Sequence, residues 1–421
     1  MDNEPNHSLR QDDFAKDKRK KKTILPDLPV VSDSDDIRSQ ETLVTTKESP
    51  KTIEQVQSPP LVKIDPVDVP YQLIGNRKTA LVVITYNRPD YLSRTMNKVF
   101  EILNSEFNNY KIDLFVSQDG NSANMNNVIK EIETKVKQVS CITKYSHYNH
   151  PQETLPGDTS YHKLSRHFKW IFDKVFEQGY DQIIVLEDDL EIAIDFFEYF
   201  AGVSPLVWED DSIYAASAWN DNGFNQYVSN PETLYRSDFF PGLGWLLTSR
   251  LWSEVGPIWP AAYWDDWLRH PLRRQGRAVI RPEISRTYTF GKSGVSQSQF
   301  FDQYLAPIKL NTDFVPFSMI PLSYLKKLTY DIGLKDAIGK AVEITYSPGF
   351  EKSLNPSNEY KIFYRDDKNG YKSIAKKMGL MPDSKAGVPR GAYMGVVPLT
   401  INGIRVYIVP QSGPSFNYIE D

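Results

Sequence analysis

Three consecutive carboxylates, Glu187, Asp188 and Asp189, follow four aliphatic residues in IIVLEDDLEIAIDFFEYF, residues 183–200. Like charges packed this closely repel, so solvent, basic partners or a metal must stabilise them. Clustered carboxylate oxygens suit hard cations such as Mn2+ or Mg2+, and such a metal can neutralise a diphosphate as it leaves. The plainer alternative is a solvated strand end whose charges cap the next helix. Asp119 and Gly120 end an earlier apolar run in the same way, and Arg88 adds a cation just after the first run. No GxGxxG or Walker-type loop follows any of these runs, so backbone amides are not the main holders of phosphate.

Farther along, SAWNDNG, YRSDFFPGLGWLL and YWDDWLR crowd Trp219, Trp245, Trp264 and Trp267 against Asp221, Asp265 and Asp266. Sugar faces pack on rings while their hydroxyls take hydrogen bonds, so this density suits a sugar site. An aromatic core with its acids in solvent is the competing reading. Of the adjacent acids Asp265 and Asp266, one could be a general base, its pKa lifted by partial desolvation. TFGKSGVSQSQFF, residues 289–301, is rich in Gly and Ser and reads as a mobile lid, the alternative being an ordinary surface loop.

Elements must position these groups. ALVVITY, IDLFVSQDG, a short strand around CITKYS, and QIIVL read as strands. Helical faces separate them: Leu92, Met96, Val99, Phe100 and Leu103 on one, and Leu164, Phe168, Ile171, Phe172 and Val175 on another. Strand and helix in alternation, with strands apolar on both sides, predict an α/β fold with a doubly wound, mostly parallel sheet. Such sheets bind ligands at the carboxyl ends of their strands, where the acidic triplet falls. Residues 305–421 read as a smaller α+β unit in which VVPLTINGIRVYIVP forms two strands joined at Asn402-Gly403. Residues 77–304 are then the catalytic domain, with a closing loop over 291–304.

Composition bounds the partners. With 421 residues, 40% of them hydrophobic, the chain can bury a sizeable core. A net charge of −5 implies no general attraction to nucleic acid. The single cysteine, Cys141, excludes an internal disulfide. Residues 1–76, rich in Lys, Asp, Ser, Thr and Pro, read as a disordered tether whose KDKRKKK run is a solvated charge cluster. No window approaches the roughly 20 apolar residues of a membrane span, and the start of the chain as given has no apolar core of a signal peptide.

The runs EDDLEIAIDFFEYF, SAWNDNG, LYRSDFFPGLGWLL, YWDDWLR, GRAVIRPEISRT and GVSQSQFFDQYL, in that order, resemble the N-acetylglucosaminyltransferase I family, glycosyltransferase family 13. The resemblance extends from about residue 80 to GVPRGAYMGVV near the C-terminus. It implies a GT-A fold, Mn2+ dependence, and inverting transfer of GlcNAc from UDP-GlcNAc to the 2-hydroxyl of the α-1,3-linked mannose of a high-mannose N-glycan. By the same resemblance Asp189 is the metal ligand, Glu187 and Asp188 bind the donor sugar and ribose, and Arg88, Asp119 and His167 match nucleotide-contacting positions. Read from its own surroundings, beside an apolar helical face, His167 would be a packed core histidine. Asp265 matches the catalytic base, with Trp264 and Asp266 beside it on the acceptor side, and Val295 and Ser296 match the loop that closes over UDP-GlcNAc.

Two departures accompany the resemblance. Where members pair cysteines, this chain has Tyr86 with Gly120 and Ala215 with Val279, so packing is expected to replace both bridges. The family also implies a Golgi membrane protein, and no anchor is visible in these residues. Two other functions fit the motifs: a GlcNAc-transferase acting on O-linked mannose, and a catalytically silent sugar-binding protein on the same fold.

Overall fold

The run TALVVIT forms β1 (Thr79–Thr85), all of whose residues are buried, as a central strand covered on both faces must be. The computed structural model describes residues 71–292 and 300–416. After β1 comes α1 (Pro89–Leu103), with Pro89 at its first position, where the missing N–H costs no hydrogen bond. The alternation continues through β2 (Ile112–Asp119), α2 (Asn126–Val136), β3 (Ile142–His150), α3 (Ser160–Phe176) and β4 (Gln182–Glu187). Next are β5 (Leu190–Ile192), α4 (Phe196–Glu209), β6 (Ile213–Ser217), β7 (Leu234–Ser237) and β8 (Trp245–Thr248). Then follow α5 (Ser249–Val255), α6 (Trp264–Arg269), α7 (Pro271–Arg274), β9 (Ala278–Pro282) and β10 (Thr287–Thr289).

Eight strands form one sheet in the order β3-β2-β1-β4-β8-β6-β9-β7. The half containing β1 to β4 is parallel throughout, while β8 and β7 run antiparallel to their neighbours. Alternate side chains of each strand feed opposite cores. Leu81 and Val83 pack with Leu92, Met96 and Ile129 on one face. Ala80 and Val82 pack with Phe168, Ile171 and Phe172 on the other. Removing Phe168 to Ala would cost on the order of 3–5 kcal/mol through the cavity left behind. β3 runs beyond the short strand expected at 141–146; it is the sheet's edge and mostly half-buried, so its polar residues hide the period.

Among the described residues, 71–76 already pack, although composition groups them with the expected tether. Ile74 is fully buried, and the backbone N–H of Gln72 donates to the Asn109 carbonyl at 2.7 Å. The rest of that tether, residues 1–70, lies outside the described residues. Ala215 and Val279 face each other as register partners on β6 and β9, both fully buried, so close apolar packing occupies the position of one expected cysteine pair.

The C-terminal part contains α8 (Lys327–Lys340), β11 (Val342–Glu343), β12 (Tyr360–Tyr364), α9 (Gly370–Met378), β13 (Ser384–Lys385), β14 (Val388–Pro389), β15 (Val397–Ile401) and β16 (Ile404–Pro410). Its main sheet runs β11-β12-β16-β15. The tight turn between β15 and β16 has Asn402 at φ 51° and Gly403 at φ 79°, the left-handed pair that a two-residue hairpin favours. This layer is fused to the large sheet: the described residues make one compact unit, and Val397, Leu399 and Ile408 share a core with Trp219, Phe224 and Phe239. Two ion pairs reinforce the seam, Arg390 to Asp221 at 2.7 Å and Arg405 to Glu283 at 2.9 Å.

Candidate active site

Glu187 is the last residue of β4 and pairs with Ile84 of β1, so the acidic triplet sits at the carboxyl edge of the parallel half. The turn that follows is pinned from several sides. Asp188 donates its backbone N–H to the Ile84 carbonyl at 3.0 Å, and Phe290 donates its N–H to the Asp189 carbonyl at 3.0 Å. The Thr95 hydroxyl donates to the Asp188 carbonyl at 2.8 Å, and the Thr85 hydroxyl to Asp188 Oδ2 at 2.6 Å. Arg88, just before α1, donates to Asp188 and, from Nη1 at 3.1 Å, to Asp189 Oδ2. Asp188 is 1% exposed. Burial pushes its pKa up to about 6 even against the pull of Arg88, and Asp189 adds to the rise. Burial also raises the pKa of Glu187, and Asp189, Asp188 and the more distant Asp265 add their negative fields.

A second cluster lies at the ends of β2 and β3. Asp119 and His150 are register partners, with Nδ1 of His150 2.7 Å from Asp119 Oδ1. Burial works against the charge on Asp119, but the hydrogen bond to His150 and the neighbouring imidazoles hold its pKa below the usual range. His167 of α3 stacks on His150 at 5.1 Å between ring centroids. It is 1% exposed, with Nε2 2.7 Å from the Ser117 hydroxyl. His167 therefore stands behind Asp119 and His150 rather than at an open surface, as the reading from its apolar helical face expects.

On the other side, Tyr263 takes a left-handed φ of 53° and opens α6. Asp265 and Asp266 fall in its first turn, half-exposed. The buried Arg269 bridges both from Nη1, at 2.8 Å to Asp265 Oδ2 and 2.7 Å to Asp266 Oδ1. Arg269 is itself fixed by donating from Nε to the Phe240 carbonyl at 2.9 Å. Lys385 of β13 donates to Asp266 Oδ2 at 2.9 Å. Burial alone would raise the pKa of Asp266; Arg269 and Lys385 override it and hold the carboxyl low. Both Asp266 oxygens are thus engaged by cations, one by Arg269 and one by Lys385.

The tryptophans correct the sugar-pocket expectation. Trp264 is buried and stacks on Phe168 at 4.7 Å and Trp245 at 5.7 Å. Its ring faces are taken by the core, so it does not line an open sugar pocket. Trp219 and Trp245 are buried as well. Of the group only Trp267 is half-exposed. Val295 and Ser296 lie outside the described residues, but both roots of that segment are in view. A Cβ on Gly291 would stand 2.2 Å from Asp189 Oδ2, so only glycine allows the backbone this close to the carboxylate. Lys292 pairs with Asp302 at 3.0 Å across the roots.

His150, Thr85, Arg269 and Lys385 were not singled out from sequence. Arg269 had a usable signal, since residues i and i+4 share a helix face and YWDDWLR spaces it so from Asp265. Lys385 had none, being 119 positions from its partner.

On this α/β fold, comparison with known proteins sets the class, a glycosyltransferase. The chain belongs to the GNT-I family, whose family model matches residues 33–419. It is 42% identical over 335 residues to an alpha-1,3-mannosyl-glycoprotein 2-beta-N-acetylglucosaminyltransferase of Arabidopsis thaliana, covering 78% of this chain and 73% of that one. Among solved structures, a mannosyltransferase of Pyrobaculum calidifontis in complex with GDP-Man and Mn2+ matches at a TM-score of 0.33 and 11% identity over 53% of this chain and 61% of that chain. S. aureus TarS 1-349 matches at 0.34 and 11% over 50% of this chain and 60% of that one. These two likenesses are too weak to carry an argument beside the family match.

Proposed function

We propose that this N-acetylglucosaminyltransferase moves GlcNAc, with inversion, from UDP-GlcNAc to the 2-hydroxyl of the α-1,3-linked mannose of a high-mannose N-glycan. One observation carries the reading: the chain matches the GNT-I family over residues 33–419 and holds its acidic turn at the carboxyl edge of β4. An acid on the acceptor side, here Asp265, and an acidic turn on the donor side are what a single displacement requires.

The donor set fits a divalent cation. Asp189 presents carboxylate oxygens beside two further acids in a turn crowded by Gly291, and hard oxygen donors of this kind suit Mn2+. Among the described residues no cluster of His, Cys, Asp and Glu could hold a metal unaided, so Asp189 would hold it together with oxygens of the donor. Mn2+, when bound, would supply neutralisation of the departing UDP diphosphate.

The residues divide the remaining work. Arg88 and Asp119 hold the nucleotide side, with His167 supporting Asp119 from behind; Glu187 and Asp188 orient sugar and ribose; Val295 and Ser296 cover the donor. Arg269 ties down Oδ2 of Asp265, which leaves Oδ1 to take the proton of the acceptor hydroxyl. The hydroxyl oxygen then bonds to C1 of GlcNAc as the C1–O bond to UDP breaks, and that electron pair leaves with the diphosphate. Action in the Golgi belongs to this reading; no helix among the described residues is long and apolar enough to cross a membrane.

The test incubates the purified chain with UDP-GlcNAc, Mn2+ and two competing acceptors, a five-mannose N-glycan and an O-mannosyl peptide, followed by mass spectrometry. One HexNAc on the glycan, abolished by EDTA, is the expected result. Addition to the peptide instead would transfer the assignment to O-mannose, and binding without transfer would leave a sugar-binding protein.

A further inference from the structure

The acid pair on α6 is held by cations from two parts of the fold. Arg269 belongs to the same helix and gives one nitrogen, Nη1, to both Asp265 and Asp266. Lys385 arrives from the β13–β14 hairpin of the C-terminal part and reaches only Asp266, at 2.9 Å. Next to the hairpin, Arg390 donates to Asp383 at 2.6 Å and to Asp221 at 2.7 Å. That guanidinium, only 13% exposed, ties the hairpin to the large sheet, so Lys385 is delivered from a fixed base. The ends of the network are open: the side chains of Asp265, Asp266 and Lys385 are 41%, 37% and 39% exposed. Arg269, at 7%, is the closed centre.

Two carboxylates compete for one nitrogen of Arg269. Were Asp266 to lose its second cation, its uncompensated charge would draw Arg269 toward itself and away from Asp265. We infer that Lys385 is a positioning residue for transfer: by neutralising Asp266 it leaves Arg269 free to hold Oδ2 of Asp265 and keep Oδ1 aimed at the acceptor. The C-terminal hairpin is thereby part of the acceptor side of the site. A half-exposed ion pair in isolation contributes only about 0–1 kcal/mol to stability, so the role of this one is geometric. The inference rests on Asp265 acting as the base.

The test compares Lys385→Met, Lys385→Arg, Asp266→Asn and the double variant Lys385→Met/Asp266→Asn with the unaltered full chain, reading kcat and the KM for UDP-GlcNAc. Small displacements of a reacting group are costly, so Lys385→Met should lower kcat roughly tenfold or more. The donor KM should stay unchanged. Lys385→Arg should recover most of the rate, because it restores the charge within reach of Asp266. The double variant should be no slower than Asp266→Asn alone, since Lys385 acts only through Asp266. Full kcat in Lys385→Met, failure of the arginine to rescue, or additive losses in the double variant would overturn the inference. Asp265→Asn separates the two layers: if it keeps its turnover the base assignment falls and takes this inference with it. If it is inactive while Lys385→Met is fully active, only the role of Lys385 is lost.

Discussion

The Ser117 hydroxyl oxygen lies 2.7 Å from Nε2 of His167, inside the layer between β2 and α3. Burial, helped by His150 and only partly offset by Asp119, lowers the pKa of His167 to about 3. The folded protein therefore keeps this imidazole neutral, while the unfolded chain takes up a proton below about pH 6.5. Stability from this group is complete above pH 6.5 and falls as pH drops toward 3, by about 1.4 kcal/mol per unit. Between pH 7 and pH 5 the loss should be about 2 kcal/mol. Urea unfolding of the native chain and of His167→Gln at both pH values measures it. An equal pH dependence in the two would remove His167 as its source.

Arg88 is the near cation for Asp188, which is 1% exposed. Replacing it with Met leaves a buried carboxylate supported by the Thr85 hydroxyl. Breaking a pair of this kind should cost about 3 kcal/mol in urea unfolding at pH 7. Adding Asp188→Asn should recover much of that, because the stranded charge is gone. A native unfolding midpoint in Arg88→Met would contradict the account.

The 2.2 Å approach at Gly291 predicts a defect in metal use without a defect in folding. Gly291→Ala must push Asp189 aside or move the backbone that follows β10. The Mn2+ concentration for half-maximal turnover should rise about tenfold or more, as displaced metal-site residues typically show. Thermal unfolding without metal should match the native chain. If Mn2+ dependence is unaltered, Asp189 is not the ligand.

Asp265→Asn keeps the size of the side chain and its bond from Arg269 but removes the proton acceptor. UDP-GlcNAc binding, read by calorimetry with Mn2+ present, should persist while kcat falls by about 10²-fold or more. Near-normal turnover would take the base role away from Asp265.

Much of the large sheet was legible because its central strands are apolar on both faces and the helices between them keep a clear stripe; Leu92, Met96, Val99, Phe100 and Leu103 are indeed all buried. The place of Glu187, Asp188 and Asp189 followed from that topology. The tryptophans misled because ring count says nothing about ring accessibility: Trp264 stands in a stack with Phe168, Trp245 and Trp259 that only the tertiary fold assembles. His150 escaped notice because it ends an edge strand whose residues are mostly half-buried and lack a period. Lys385 lay beyond any local pattern, since charge partners far apart in sequence leave no spacing to read.

Asp221 and Glu283 meet their guanidinium partners only 169 and 122 residues later, at Arg390 and Arg405. A ribosome releases the large sheet first, at roughly 5–20 residues per second, with both acids still lacking those cations. A chain interrupted before residue 390 would leave Asp221 without its guanidinium and Glu283 with only the Ser229, Asn230 and Tyr235 donors. The late arginines thus make the sheet's stability conditional on a finished polypeptide, and a prematurely terminated product would stay open to proteolysis instead of persisting as a half-built enzyme.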